Sequence, residues 1–141
     1  MRILYFSRAY TSHDYRFLAK MGSSQHEIFF LRLEPSALHQ EKRALPSGVT
    51  PVYLKGGGKN GGAPWDNIPL VPHLEETLSS LSPDLVHAGP VQTCGFLAAL
   101  TGTHPFFCMS WGSDILFDAG KDAGWQWVTR YTLKQDRKSV V

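Results

Sequence analysis

Three groups of polar residues stand where short apolar runs end, and their chemistry is that of ligand recognition. Ser7 and Arg8 close the run Arg2-Ile3-Leu4-Tyr5-Phe6, with His13, Asp14 and Arg16 just beyond. Gly89 and Pro90 close Leu85-Val86-His87-Ala88, and Trp111, Gly112, Ser113 and Asp114 close Pro105-Phe106-Phe107-Cys108-Met109-Ser110. His13 is a candidate general base, because histidine is the side chain that ordinarily changes charge near neutral pH. Gly89 and Gly112 have no side chain, so a ligand can approach their backbone, and amides at the following helix starts can donate to phosphate or sugar oxygens. Asp114 can accept from sugar hydroxyls or neutralise Arg8 across a crevice; the alternative for Asp114 and for Ser113 is helix capping. Trp111 is either an apolar wall for a ring or a core residue. His13 and Asp14 have surface capping beside a solvated Arg16 as their alternative, and His87, inside its run, reads as a buried histidine with a partner.

Other chemistries lack their spacing. In Gly56-Gly57-Gly58-Lys59-Asn60-Gly61-Gly62 the lysine precedes asparagine, whereas a phosphate loop needs Gly-Lys followed by Ser or Thr. A dinucleotide fingerprint would follow the first strand, where Ser7-Arg8-Ala9-Tyr10 has no glycine. The glycine run therefore reads as a mobile surface loop. No His-x-x-x-His or Asp-x-Asp pair occurs, so neither a metal nor another cofactor is expected.

The elements that must position these groups alternate. Strands are expected at Arg2–Ser7, His26–Leu33, Gly48–Leu54, Leu85–Ala88 and Phe106–Ser110. Helices are expected from Ser12 or Asp14 to Met21, over Ile68–Leu81 with Pro69 and Pro72 in its first turn, and over Val91–Thr101 with Gly102 ending it. Ile115–Gln135 reads as a broken helix weakened at Gly120 and Gly124, with Trp127, Val128, Tyr131 and Leu133 as apolar contacts. This alternation predicts an α/β fold, a Rossmann-like parallel sheet with helices on both faces and its ligands at the carboxyl ends of the strands.

A chain of 141 residues is long enough for one domain with a real core, and a formal charge of +2 gives no footprint for nucleic acid. Cys94 and Cys108 lie in apolar segments without CxxC spacing, so reduced thiols and a cytoplasmic setting are expected. No apolar run reaches the length that spans a bilayer. The last six residues, Asp136-Arg137-Lys138-Ser139-Val140-Val141, neither cap a helix nor continue its apolar face, and they spell one reading frame of a common short-read sequencing adapter. The expected organisation is therefore a domain over 1–135 and a non-native tail over 136–141, with the gene cut near Gln135.

Pro83-Asp84-Leu85-Val86-His87-Ala88 resembles the P-D-hydrophobic-hydrophobic-H-A strand of family 4 glycosyltransferases, and Pro105 to Asp114 resembles their strand ending in H-G-S/T-D or W-G-S-D. The likeness runs from Met1 to about Gln135 in the same order of elements. It implies one half of a two-domain GT-B fold: the acceptor-side domain of a retaining enzyme that moves a sugar from a nucleotide-sugar onto a glycan, lipid or small alcohol. By that resemblance Ser7, Arg8, His13, Asp14, Gly89, Trp111, Gly112, Ser113 and Asp114 line the acceptor side of the cleft, and the full-length protein is a candidate for membrane-surface contact. The glycine pair many members carry after the first strand is absent, and Trp111 replaces a histidine often found there, so no catalytic residue is carried over. The donor-binding groups of such enzymes belong to a second domain, so this chain alone is expected to be inactive. Two other readings are a flavodoxin-like binding module without catalysis and another GT-B enzyme such as a nucleotide-sugar epimerase.

Overall fold

The five strands of the described sheet all run parallel, in the order β3-β2-β1-β4-β5. The structure, a computed structural model, describes residues 1–36, 40–58 and 62–136. The strands are β1 (Arg2–Ser7), β2 (Glu27–Arg32), β3 (Val49–Val52), β4 (Leu85–Gly89) and β5 (Phe106–Cys108). All five stand where the apolar runs place them; β2, β3 and β5 are trimmed at the ends, and β4 extends to Gly89.

β1 lies at the centre and is buried on both faces, because alternate side chains of a strand point to opposite sides. Leu4 and Phe6 join Leu31, Val86, Leu97 and Phe106 in one core, while Ile3 and Tyr5 join Leu18, Ile28, Phe30 and Met109 in the other. The chain thus forms the expected Rossmann-like α/β layers. α1 (Ser12–Gly22) covers the second core through Leu18; α2 (Val71–Leu81), α3 (Phe96–Thr101) and α5 (Ala123–Gln135) pack together on the first.

Helix starts differ from the sequence reading in ways that backbone hydrogen bonding explains. Thr11, rather than Ser12 or Asp14, caps α1: its hydroxyl accepts the Asp14 amide while the Asp14 carboxylate takes the Thr11 amide at 2.8 Å, a reciprocal capping box. The segment expected as one helix from Ile68 divides into a 3-10 turn over Pro64–Leu70 and α2 from Val71. An α-helix starting at Ile68 would need an amide at residue 72, and Pro72 has none. Residues 91–95 form a π turn in which the Gly95 amide reaches the Pro90 carbonyl at 3.0 Å before α3 begins. The broken helix resolves into α4 (Ser113–Leu116), a 3-10 turn over Asp118–Gly120 and α5, whose first turn is capped by the Asp122 carboxylate.

The glycine run is only partly described. Gly57 and Gly58 are tied to the carbonyls of Leu54 and Leu33 at 3.1 and 2.8 Å, so this part is pinned rather than loose. The mobile character expected of Lys59, Asn60 and Gly61 lies outside the described residues. Asp136 follows α5, and its carboxylate accepts the Cys108 amide at 2.9 Å. The rest of the expected tail, 137–141, is likewise outside the described residues.

Candidate functional site

The strand order reverses direction between β1 and β4, and the carboxyl ends of such a pair flank the crevice where open α/β sheets bind ligands. Three segments meet there: the β1–α1 turn, the start of the π turn after β4, and the turn from β5 into α4.

Asp114 organises the β5 turn. The residue is 2% exposed, and its carboxylate accepts four hydrogen bonds. Oδ2 takes the Val91 amide at 3.0 Å, and Oδ1 takes the Ser110 hydroxyl at 2.7 Å and the amides of Trp111 and Ile115 at 3.0 Å each. The Gln92 amide group extends the network, donating to the Asp114 carbonyl at 2.8 Å and to Thr129 at 2.9 Å. Asp114 therefore binds the turn back onto the start of the π segment. It does not pair with Arg8, whose guanidinium instead forms an ion pair with Glu34 beyond β2. Gly112 has φ +93° with nothing near its missing side chain, a conformation that glycine adopts without strain.

Asp14 is equally committed. Its buried carboxylate takes the Tyr5 hydroxyl at 2.9 Å and the Thr11 hydroxyl at 2.6 Å in addition to the capping amide. Burial, then the nearby Asp14 charge, push the Tyr5 hydroxyl pKa up. Gly89 is buried beneath the β5 tip, where a Cβ would stand 2.4 Å from the Met109 carbonyl. Its missing side chain admits the neighbouring strand, not a ligand. Ser7, one strand over in register with Gly89, is 1% exposed and its hydroxyl has no partner.

What faces outward is aromatic. His13 and Phe17 lie four residues apart on α1, so they share a side of the helix. Trp111 stands across from both: its ring centroid is 6.3 Å from that of His13, with planes 23° apart, and 6.5 Å from that of Phe17 at 26°. With Met109 and Ser110 these rings line a cavity of about 310 Å³. Beneath it His87 packs edge-on against Tyr5 and Phe17 at 5.6 and 6.5 Å. Burial lowers the His87 pKa to about 4, which leaves the ring neutral at neutral pH.

Of the residues singled out by sequence, His13 and Trp111 line this cavity, and Gly112 and Ser113 continue the same turn. Arg8 is turned toward β2, Ser7 and Gly89 lie below the surface, and the carboxylates of Asp14 and Asp114 are spent internally. Phe17, Met109 and Ser110 were not singled out. The signal for Phe17 was its i,i+4 spacing from His13; apolar periodicity assigns it to the core, yet it is 46% exposed.

Among the described residues no group of three or more His, Cys, Asp or Glu side chains is placed to hold a metal ion, and no helix is long and apolar enough to cross a membrane. Cys94 and Cys108 are free thiols; burial pushes both pKa values up, that of Cys108 to about 12.

A parallel sheet in this order defines a Rossmann-like domain and is consistent with one half of a GT-B fold. A sequence model of the glycosyl transferase 4-like family matches residues 2–138, and the chain belongs to that family, as its amino-terminal type of domain. No curated protein matches the chain.

Proposed function

We propose that this domain forms the acceptor-binding side of a retaining glycosyltransferase, in which a nucleotide-sugar donor is held by groups outside the described residues. The observation that carries this reading is the cavity between α1 and the β5 turn. It lies at the carboxyl edge, it is of a size that small-molecule sites occupy, and its lining has no arginine or lysine. A nucleotide diphosphate leaving group calls for concentrated positive charge or converging amides, which this lining does not offer. An uncharged acceptor does not need them.

The acceptor is a small alcohol, a glycan or a lipid. Ile115, Leu116 and Phe117, 40%, 75% and 72% exposed, follow directly on the Trp111–Asp114 turn and support contact with a lipid acceptor or a membrane surface in the full-length protein. The free thiols support a cytoplasmic setting. The isolated chain is expected to bind acceptor-type molecules without turning over any nucleotide-sugar.

Saturation-transfer NMR on the purified chain, with neutral sugars, glycosides and nucleotide-sugars in turn, tests the reading. It expects saturation to reach neutral acceptor-type compounds and not nucleotide-sugars. Binding or turnover of a nucleotide-sugar by this chain would overturn it, and a ligand set without acceptor character would favour the flavodoxin-like module.

A further inference from the structure

We propose that the cavity selects an uncharged ring, gripped by its flat apolar face on Trp111 and excluded when it carries a phosphate or carboxylate. This inference rests on the acceptor reading and narrows it to a substrate class.

The lining decides the class. Three of its five residues are ring-bearing, one is Met109, and the fifth is Ser110. The Ser110 hydroxyl already donates to Asp114 at 2.7 Å and accepts the Gly112 amide at 3.0 Å, so it keeps one lone pair for a ligand. The exposed His13 imidazole, at the first turn of α1, adds one donor and one acceptor at the rim when neutral. That inventory matches a ring with one or two hydroxyls at its edge. It contains no guanidinium or ammonium: Arg8, the cation at the β1 tip, is held by Glu34 on the β2 side. The Asp114 carboxylate lies behind Ser110 and the Trp111 amide, with a negative charge that disfavours a second anion close by.

The geometry sets how the ring is held. Trp111 faces His13 and Phe17 with near-parallel planes at centroid distances of 6.3 and 6.5 Å. Stacked rings that touch directly have centroids at roughly 4.5–7 Å, so the three form one continuous aromatic wall of the cavity, and a ligand ring lies against that wall at Trp111 rather than parting the three. A backbone that is fixed from both ends supports this wall: the Trp111 amide is held by Asp114, and Gly112 turns the chain away immediately after it.

An aryl aglycone and a pyranose share the required chemistry, a planar or flat apolar face with hydroxyls at its edge, and the test separates them. The purified chain is titrated with phenol, methyl β-glucoside, phenyl β-glucoside and glucose 1-phosphate, following the Trp111 indole N–H signal, assigned by its loss in Trp111→Phe. The chain has four tryptophans, so the other three indoles serve as internal controls. Binding of phenol alone assigns an aryl face and binding of methyl glucoside alone a pyranose face; phenyl glucoside is expected to bind in either case. Glucose 1-phosphate is expected to bind at least about tenfold more weakly than methyl glucoside if a pyranose is held, or phenyl glucoside if an aryl ring is held. Trp111→Ala should weaken the binding neutral ring about tenfold, and Trp111→Phe about threefold, both read from the backbone amide shifts because these variants lack the reporting indole. The amide spectrum of each variant reports its fold, and Phe17→Ala, which removes the ring stacked beside Trp111, gives a second handle should Trp111→Ala unfold. A phosphate-bearing ring that binds as tightly as the neutral one, or no response of the Trp111 indole to any neutral ring up to about 10 mM, overturns the inference. Neutral rings that bind but shift a different tryptophan sink this inference and leave the acceptor reading standing; a nucleotide-sugar that shifts the Trp111 indole sinks the acceptor reading itself.

Discussion

Replacing Asp114 tests whether the motif residue that looks most like a ligand contact is instead the tie that shapes the site. In Asp114→Ala four donors lose their acceptor, but they do not lose it equally. The Ile115 amide keeps the Gly112 carbonyl at 3.1 Å, and the Ser110 hydroxyl rotates to water. The amides of Val91 and Trp111 are left without partners, and each had been paired with a carboxylate. Hydrogen bonds to charged groups are worth about 1.5–3 kcal/mol each, so the two together predict a loss of about 3–6 kcal/mol. Native domains have only about 5–15 kcal/mol in total, so this variant is expected to be marginal or unfolded at 25 °C. Asp114→Asn keeps one carbonyl oxygen and places an NH2 opposite the donors on the other side, a loss of about 2–3 kcal/mol that still permits folding. Urea denaturation followed by far-UV circular dichroism measures both. The reasoning fails if Asp114→Asn stays within about 0.5 kcal/mol of the parent, the range of ordinary surface substitutions.

Gly89→Ala should destabilise by about 1–3 kcal/mol or abolish soluble expression, because the new Cβ would meet the Met109 carbonyl at 2.4 Å; thermal melting measures it. Asp14→Ala removes the capping box and leaves the buried Tyr5 hydroxyl unpaired, with an expected loss of about 2–4 kcal/mol in urea, whereas Arg16→Ala should lie within about 0.5 kcal/mol of the parent. Stability should fall as pH drops from about 6.5 to about 4. Burial lowers the folded pKa of His87, so over that window the unfolded chain binds the extra proton; the contribution is on the order of 2 kcal/mol, and His87→Phe should flatten that part of the pH profile in urea titrations.

The inner strands were legible because a buried parallel strand is a short apolar run bounded by turn residues, whereas the edge strand β3 (Val49–Val52), with no buried residue, was marked by its valines and the flanking Gly48. Helix starts were less so, since they depend on which amide lacks a partner: Pro72 moves the start of α2 three residues on, and the reciprocal pair Thr11–Asp14 outweighs the serine between them. The site was half legible. Trp111 and His13 were readable as residue types at strand and helix tips, but the roles of Asp14 and Asp114 were not, because the donors that occupy Asp114 come from residues 91, 110, 111 and 115 and a Tyr5 hydroxyl supplies the inner bond to Asp14. Phe17 was hidden by periodicity, since an apolar residue on a helix face that looks into a cavity has the same spacing as one that looks into the core.

The most direct measurement is a crystal structure of the chain soaked with phenyl β-glucoside. The account predicts density for the compound between α1 and the β5 turn, with one ring face on Trp111 and a hydroxyl near His13 or Ser110. Density for it on any other surface, with the Trp111 face left bare, would contradict the assignment of this cavity as the acceptor site.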